Sequence, residues 1–317
     1  MAEKSLICHK TENQTIIALL DEEENISELF VSRENSLNFD ETYSAKIISY
    51  HSKLKGYFAE TPKGINAFIP TDKKLAIGEK VFIKIKKEAR RNKEATAELI
   101  AENSLNHVSF LEKIQTKHPY NLKELNSLEQ LIDQALEEEI SFANGAKISI
   151  QKTQALWSID VDSGNSEISF EEINKIAARL IQKQVQLKNM SGMILIDFIG
   201  SKRKQEQENL LKEIKKAFRN DNRTKIYGFS SLRLLELKRK SERADIYDLF
   251  LSKDGHKHPF YVSYLIEKAI KNSKSGKLQL IIHPVIEKYL SQEVKSIVKI
   301  EPNLNIQSDY FEIKEFF

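Results

Sequence analysis

Two short stretches carry acid where apolar residues dominate. Leu156-Trp157-Ser158-Ile159-Asp160-Val161-Asp162-Ser163-Gly164 reads as a strand, and the period-two repeat of a strand puts Asp160 and Asp162 on one face. Met193-Ile194-Leu195-Ile196-Asp197-Phe198-Ile199-Gly200 reads as a buried central strand with Asp197 among aliphatic neighbours. A carboxylate withdrawn from water is costly unless paired, so converging carboxylates must share a proton or a cation. Oxygen ligands without a cysteine set point to Mg²⁺, with Mn²⁺ as the alternative. Such a site suits phosphoryl chemistry, in which the metal holds a phosphate oxygen and activates a water. Three plainer readings stand beside this one. Asp162-Ser163-Gly164 is a turn, Asp160 pairs with a nearby Lys or Arg, and Asp197 caps the helix that follows.

A second candidate site lies nearer the N-terminus. Tyr57, Phe58 and Phe68 sit in KGYFAETPKGINAFIP, and alternation sends Tyr57 and Phe58 to opposite faces. The run KIKKEARRNK over 84–93 holds six basic residues and one acid, including Lys87, Arg90 and Lys93. Aromatic rings beside such charge form a stacking platform for a single nucleic-acid strand. A further basic run, KRKSER at 238–243, could neutralise phosphates through Lys238, Arg239 and Lys240. The bland reading of both runs is a solvated strand end or helix face. His256-Lys257-His258 is an isolated pair in a polar loop, and the other histidines have no acid partners at diagnostic spacing. The chain has no GxxxxGK, GxGxxG or HExxH and no serine in a nucleophile elbow, so nucleotide-driven and serine-hydrolase chemistry lack support.

The elements that must position these residues follow from periodicity. Residues 5–33 alternate as three strands, and 43–100 as four or five more, with Pro62-Lys63-Gly64 and Ile77-Gly78 as turns. That many short strands in so few residues suit a small closed barrel of the oligonucleotide-binding kind. The period then becomes helical over 122–139, with Leu125, Leu128, Leu131, Ile132 and Leu136 near one face. Paired strands follow at 146–151 and 155–161. Ser169-Phe170-Glu171-Glu172 is a capping box opening a helix with Ile173, Ile176, Ala177, Leu180, Ile181 and Val185 on its stripe. A helix over 203–219, a strand at 225–229 and a helix from about 232 complete an α/β unit, and helix and strand repeat from Phe260.

Composition narrows the class. The 317 residues are 40% hydrophobic and 30% charged, which marks a water-facing globular chain of roughly two domains. The longest apolar runs fall far short of a bilayer crossing, the start MAEKSLICHK has no signal-peptide core, and Cys8 is the only cysteine. A membrane protein, a disulfide scaffold and a cysteine zinc knot are excluded. Lys+Arg 49 against Asp+Glu 46 gives only +3, so any polyanionic partner must be met by local patches.

In order and spacing, GAKISIQKTQALWSIDVDSG, SGMILIDFIGSKRKQEQENLLKEIKKAF and SLRLLELKRK resemble the catalytic core of the ribonuclease E/G family. That family carries a strand ending SID-V/I-N-S, a helix, an IDF strand and an LLEM-T/S-R-K-R helix. INAFIP resembles its GFLP, and KIKKEARRNK its QI-KE-R-GNKG segment.

The resemblance implies an α+β multidomain chain. An RNase H-like base (1–35 with 104–145) would hold an inserted oligonucleotide-binding barrel (36–103). A deoxyribonuclease I-like catalytic unit (146–252) and a small α/β C-terminal domain (259–317) would follow. It implies a cytoplasmic Mg²⁺-dependent endoribonuclease cutting single-stranded RNA. Asp160 and Asp197 would bind the metal, Asp162 would stand where the family has Asn, and Phe58, Phe68 and Lys93 would contact RNA.

Departures carry their own expectations. The short link after Ile100 leaves no room for the family's 5′-monophosphate sensor. FLSKDGHKH replaces its cysteine zinc link, so neither zinc nor a zinc-linked dimer is expected and the oligomer is open. Ser231 stands where the family has an arginine. The rival readings are a non-catalytic RNA-binding protein of the same fold and an interaction scaffold.

Overall fold

The computed structural model describes residues 6–34, 36–90, 93–105, 108, 110–117, 122–123, 128–200, 203–273 and 278–315. The chain divides into two units. One comprises Met1–Glu24, Leu29–Glu129 and Glu242–Phe317, the other Asn25–Glu28 and Gln130–Ser241.

The first unit holds the barrel. Strands Thr42–His51, Gly56–Glu60, Asn66–Pro70, Lys80–Lys87 and Ala95–Ile100 close into a five-stranded barrel. The third strand pairs with the fifth and the fourth returns to the first, which is oligonucleotide-binding-like closure. Alternation does the work. Ala45, Ile47, Tyr57, Ala59, Ala67, Ile69, Val81, Ile83 and Ile85 point inward and are buried, while their chain neighbours face out. Strands Leu6–Lys10, Gln14–Leu20 and Ile26–Arg33 form a meander, and the two-residue strand Leu122–Lys123 adds to it in parallel. Helix Pro259–Asn272 and a sheet of Leu278–Ile282, Val298–Pro302 and Phe311–Glu315 share a separate core around Val262, Ile266, Leu280 and Ile282.

The second unit is a six-stranded sheet. Its order across is Glu139–Phe142, Ala146–Lys152, Leu156–Asp162, Gly192–Asp197, Leu235–Arg239 and Thr224–Phe229. Only Leu156–Asp162 and Gly192–Asp197 run parallel. A parallel pair needs a crossover, and helix Phe170–Leu187 supplies it. Ser169 caps that helix by accepting from the Glu172 N–H at 3.3 Å, which is one half of the expected capping box. Ile173, Ala177, Ile181 and Val185 are buried along its stripe, and Leu210 and Ile214 of helix Lys204–Ala217 are buried likewise.

Two helical expectations fail. The stretch 122–139 is a short strand, helix Leu128–Leu136 and the start of strand Glu139–Phe142; Leu125 lies outside the described residues. Helix Leu128–Leu136 stops where Glu137, Glu138 and Glu139 would crowd like charge at its negative end. Its last carbonyls are met instead by Lys188, fully buried, whose Nζ donates to Ala135 O (2.6 Å) and Glu137 O (2.7 Å). Burial lowers the Lys188 pKa to about 8.

The segment from about 232 is the strand Leu235–Arg239, not a helix, because Leu235, Leu237 and Arg239 alternate into the core. No described helix is long and apolar enough to cross a membrane.

Candidate active site and nucleic-acid surface

Register brings the two aspartate motifs together. In the parallel pair Ile159 stands opposite Ile196 and Asp160 opposite Asp197. Directly paired residues share a face, so both carboxylates leave the sheet on the same side at the carboxyl ends of the parallel strands. Ligands of open α/β sheets gather at such ends. Asp162, two residues further along, lies on the same face opposite Lys147, and Ser149 stands opposite Asp160.

The expectation that these acids are withdrawn from water does not hold. Asp160, Asp162 and Asp197 are all exposed. Strand Leu156–Asp162 buries Trp157, Ile159 and Val161 on one face, and strand Gly192–Asp197 buries Ile194 and Ile196. The central strand is therefore one-sided, with Met193 49% exposed on the acidic face.

Partial desolvation, with the neighbouring charges of Asp197 and Asp162, raises the Asp160 pKa, against a smaller opposing pull from Lys147. Among the described residues no three His, Cys, Asp or Glu side chains converge as a ready-made metal cage. A facing pair of carboxylates is nonetheless what a hard, water-keeping cation such as Mg²⁺ uses, with water and phosphate filling the rest of its shell.

The turn after Asp197 is held by Asn174, which sequence reasoning missed. Its side chain donates to Ile199 O (2.8 Å) and accepts from Ile199 N–H (3.2 Å). The signal was present, since an amide interrupts an otherwise apolar helical stripe. Asn174 also lines a 150 Å³ cleft with Phe170, Gly200 and Leu210. At Gly200, φ is 65° and a Cβ would stand 3.0 Å from the Phe170 ring, so any other side chain there would be strained and would push that ring aside.

On the barrel, cross-strand pairing assembles one outer row: Ser49, Phe58, Phe68, Thr96 and Lys87. The Phe58 and Phe68 rings lie 5.3 Å apart, with His51 6.2 Å beyond Phe58. Phe68 packs against the backbone of Gly56, where a Cβ would come within 2.5 Å of its ring. Tyr57 turns inward, and its hydroxyl accepts from Leu75 N–H at 3.1 Å. Lys93 is exposed at the turn where it pairs with Arg90.

Other members of the basic runs are spent on the fold. Arg90 donates to Arg243 O (2.6 Å), so it is not displayed to a partner. Glu88 beside it accepts from Phe39 N–H and Ala244 N–H, and burial raises its pKa. Lys84 pairs with Asp40 and Lys86 with Glu98.

The 238–240 run splits by alternation. Lys238 and Lys240 are exposed. Lys238 pairs across from Met193, about 13 Å along the strand from Asp197. Arg239 is 5% exposed and faces the core, so it cannot meet a phosphate. Its Nε donates to Asp221 Oδ2 (2.7 Å) and its Nη1 to Met190 O (2.9 Å) and Asn189 Oδ1 (3.2 Å).

The ribonuclease E/G family model matches residues 73–242, which include Asp160, Asp162 and Asp197. The chain belongs to the ribonuclease E/G family. Relatives include Ribonuclease G of Escherichia coli (strain K12), 29% identical over 170 residues, covering 51% of this chain and 34% of that protein. Ribonuclease E of Nostoc sp. is 36% identical over 126 residues, covering 38% of this chain and 18% of the relative. A chloroplastic ribonuclease E/G-like protein of Arabidopsis thaliana is 31% identical over 134 residues, covering 39% and 13%. The matches thus span about a third or less of these relatives' length. The ribonuclease E/G match begins after Phe58 and Phe68, so the family finding covers Lys87, Arg90 and Lys93 but not the two rings.

The outer row carries its own expected result. Phe58→Ala with Phe68→Ala should weaken binding of a labelled A/U-rich single strand by roughly 30-fold or more, at about 1–3 kcal/mol for each of two stacked bases. Fluorescence anisotropy checks it, and unchanged affinity would remove the rings from the binding surface.

Proposed function

We propose that the chain is a Mg²⁺-dependent endoribonuclease cutting single-stranded RNA, with Asp160 and Asp197 as the metal-holding pair and Asp162 as an added carboxylate beside them. The observation that carries this reading is the pairing of Asp160 with Asp197 at the carboxyl ends of the parallel strand pair in the six-stranded sheet, inside the segment matched to ribonuclease E/G. Relatives named ribonucleases support the reaction class. A bound Mg²⁺ supplies charge for a phosphodiester oxygen and a water acidic enough to attack at neutral pH. The chain's own residues orient that chemistry. Asp160 and Asp197 present oxygens from adjacent strands, Asn174 fixes the turn behind Asp197, and Lys147 moderates the acidic face. Phe58, Phe68, Lys87 and Lys93 hold the strand by stacking and charge. This reading takes the N-terminal sheet as an RNase H-like base and the six-stranded unit as deoxyribonuclease I-like.

The test is a 5′-labelled A/U-rich RNA incubated with the protein in Mg²⁺ and in EDTA. Internal cuts that vanish in EDTA are expected. Binding without cutting would replace the enzyme with an RNA-binding protein of the same family.

Mg²⁺ should also act on stability with a definite pH sign. A raised carboxyl pKa means that folded Asp160 keeps its proton at pH values where the unfolded chain has lost it. Its contribution to stability therefore falls as pH rises above the ordinary value of 3.8. A cation between the carboxylates offsets that loss. Mg²⁺ should raise Tm at pH 7 and leave it nearly unchanged near pH 4, by calorimetry. An equal shift at both values would place the binding elsewhere.

A further inference from the structure

The hairpin beside Asp197 contains a residue in a costly backbone state. Strands Thr224–Phe229 and Leu235–Arg239 are joined by Ser230–Leu234, where Ser230 N–H donates to Leu234 O (2.9 Å) and Arg233 N–H to Ser230 O (2.9 Å). This is a turn followed by a bulge position, whose left-handed residue is by preference glycine. Here it is Arg233, at φ 67°. A Cβ in that region is strained, and such strain persists where the side chain has a task. Nothing within the hairpin repays it. Arg233 is exposed, and among the described residues its guanidinium makes no hydrogen bond or ion pair. Leu232 beside it is 78% exposed, so the tip is not anchored by packing either.

The tip stands at the aspartate end of the sheet. Ile196 pairs with Leu235, so the hairpin tip leaves the sheet at the end where Asp197 follows Ile196. The exposed face behind it carries Lys238 and Lys225, the latter 4.9 Å over the ring of exposed Tyr227, while Asp160, Asp197 and Glu236 face the same side. Those acids would repel a polyanion unless a fixed cation stood at their edge.

We propose that Arg233 is a phosphate-binding residue, its guanidinium gripping an RNA phosphate next to the one cut. The inference rests on the ribonuclease reading of the aspartate pair. A guanidinium is the suitable group, because it meets two phosphate oxygens in one plane and a lysine does not.

Arg233→Gly tests this without threatening the fold, since glycine suits the backbone there. Its Tm should equal or exceed the parent's. Its affinity for a 5′-labelled A/U-rich single strand in EDTA should fall about 10-fold, with the slope of log affinity against log salt smaller by about one. In Mg²⁺, KM should rise more than kcat falls, and Arg233→Lys should restore the salt slope but only part of the affinity.

Parent-like affinity and salt slope in Arg233→Gly would overturn the proposal, as would a lowered Tm, which would make Arg233 a structural residue. The two readings fail separately. A parent that binds more tightly than Arg233→Gly but never cuts sinks the ribonuclease and keeps the contact. A parent that cuts while both proteins bind alike does the reverse, and a parent that does not bind RNA ends both.

Discussion

Asp160→Asn combined with Asp197→Asn should lower Mg²⁺-dependent RNA cleavage by about 10³-fold or more. Metal charge stabilisation is worth several kcal/mol, and each ~1.4 kcal/mol is a factor of ten in rate. Asparagine keeps the shape and the exposed positions but removes the charge that would hold a cation. The double variant should fold at least as well as the parent in EDTA, because the desolvation and like-charge repulsion that raise the Asp160 pKa no longer act on a charge. Its RNA affinity in EDTA should not fall, since two negative charges have left the polyanion's path. A labelled-RNA time course beside a thermal melt reads both quantities. Cleavage at the parent's rate and with the parent's metal dependence would move the active site away from the sheet. The single variant Asp162→Asn separates the third carboxylate: a small change in rate places it outside the metal's direct ligands.

Arg239→Met should lower stability by about 3–5 kcal/mol, because it leaves the Asp221 carboxylate buried without its partner. For a chain of this size that is a fall in Tm of about 10 °C. Burial alone would raise the Asp221 pKa. Arg239's charge and hydrogen bond, with the Thr224 hydroxyl and the Arg223 N–H, outweigh it and hold the pKa below its ordinary value. A lowered carboxyl pKa stabilises the fold at neutral pH and loses that contribution as pH falls through the folded value, so the parent should gain acid sensitivity from this pair. Arg239→Met with Asp221→Leu should recover much of the loss, since an apolar pair of similar volume often replaces a buried ion pair without penalty. Denaturant melts measure all of this. An Arg239→Met protein of parental stability but weakened RNA binding would return Arg239 to the phosphate-contacting role that its basic run suggested.

What was legible in the sequence was whatever depends on local period. Alternation along GYFAE sends Tyr57 and Phe58 to opposite faces, and the barrel strands follow from the same rule, while closure of the barrel decides that Tyr57 is the buried one. The N-cap at Ser169 and the stripe from Ile173 to Val185 mark the crossover helix, because caps and apolar spacing act within a few residues. Period also placed Asp160 and Asp162 on one face.

It misled where the partner of a face lies far along the chain. The aliphatic run before Asp197 reads as buried on both sides, yet the sheet has its helices over one face and leaves the acids in water. The run Lys238-Arg239-Lys240 reads as one basic patch, yet Asp221 and Asn189 wait on the buried side for Arg239 alone. Helical spacing over 122–139 does not reveal that Lys188 closes the helix at Leu136.

Most strands and the alternation of their side chains follow from neighbours a few residues away, whereas Leu122–Lys123, Glu139–Phe142 and Leu235–Arg239 escape that local reading. Tertiary pairing alone set Asp160 opposite Asp197 and put Phe58, Phe68, Thr96 and Lys87 in one row. Each of these is a pairing register between segments separated by a loop, a helix or a whole strand, and register is set by the packing of the complete sheet.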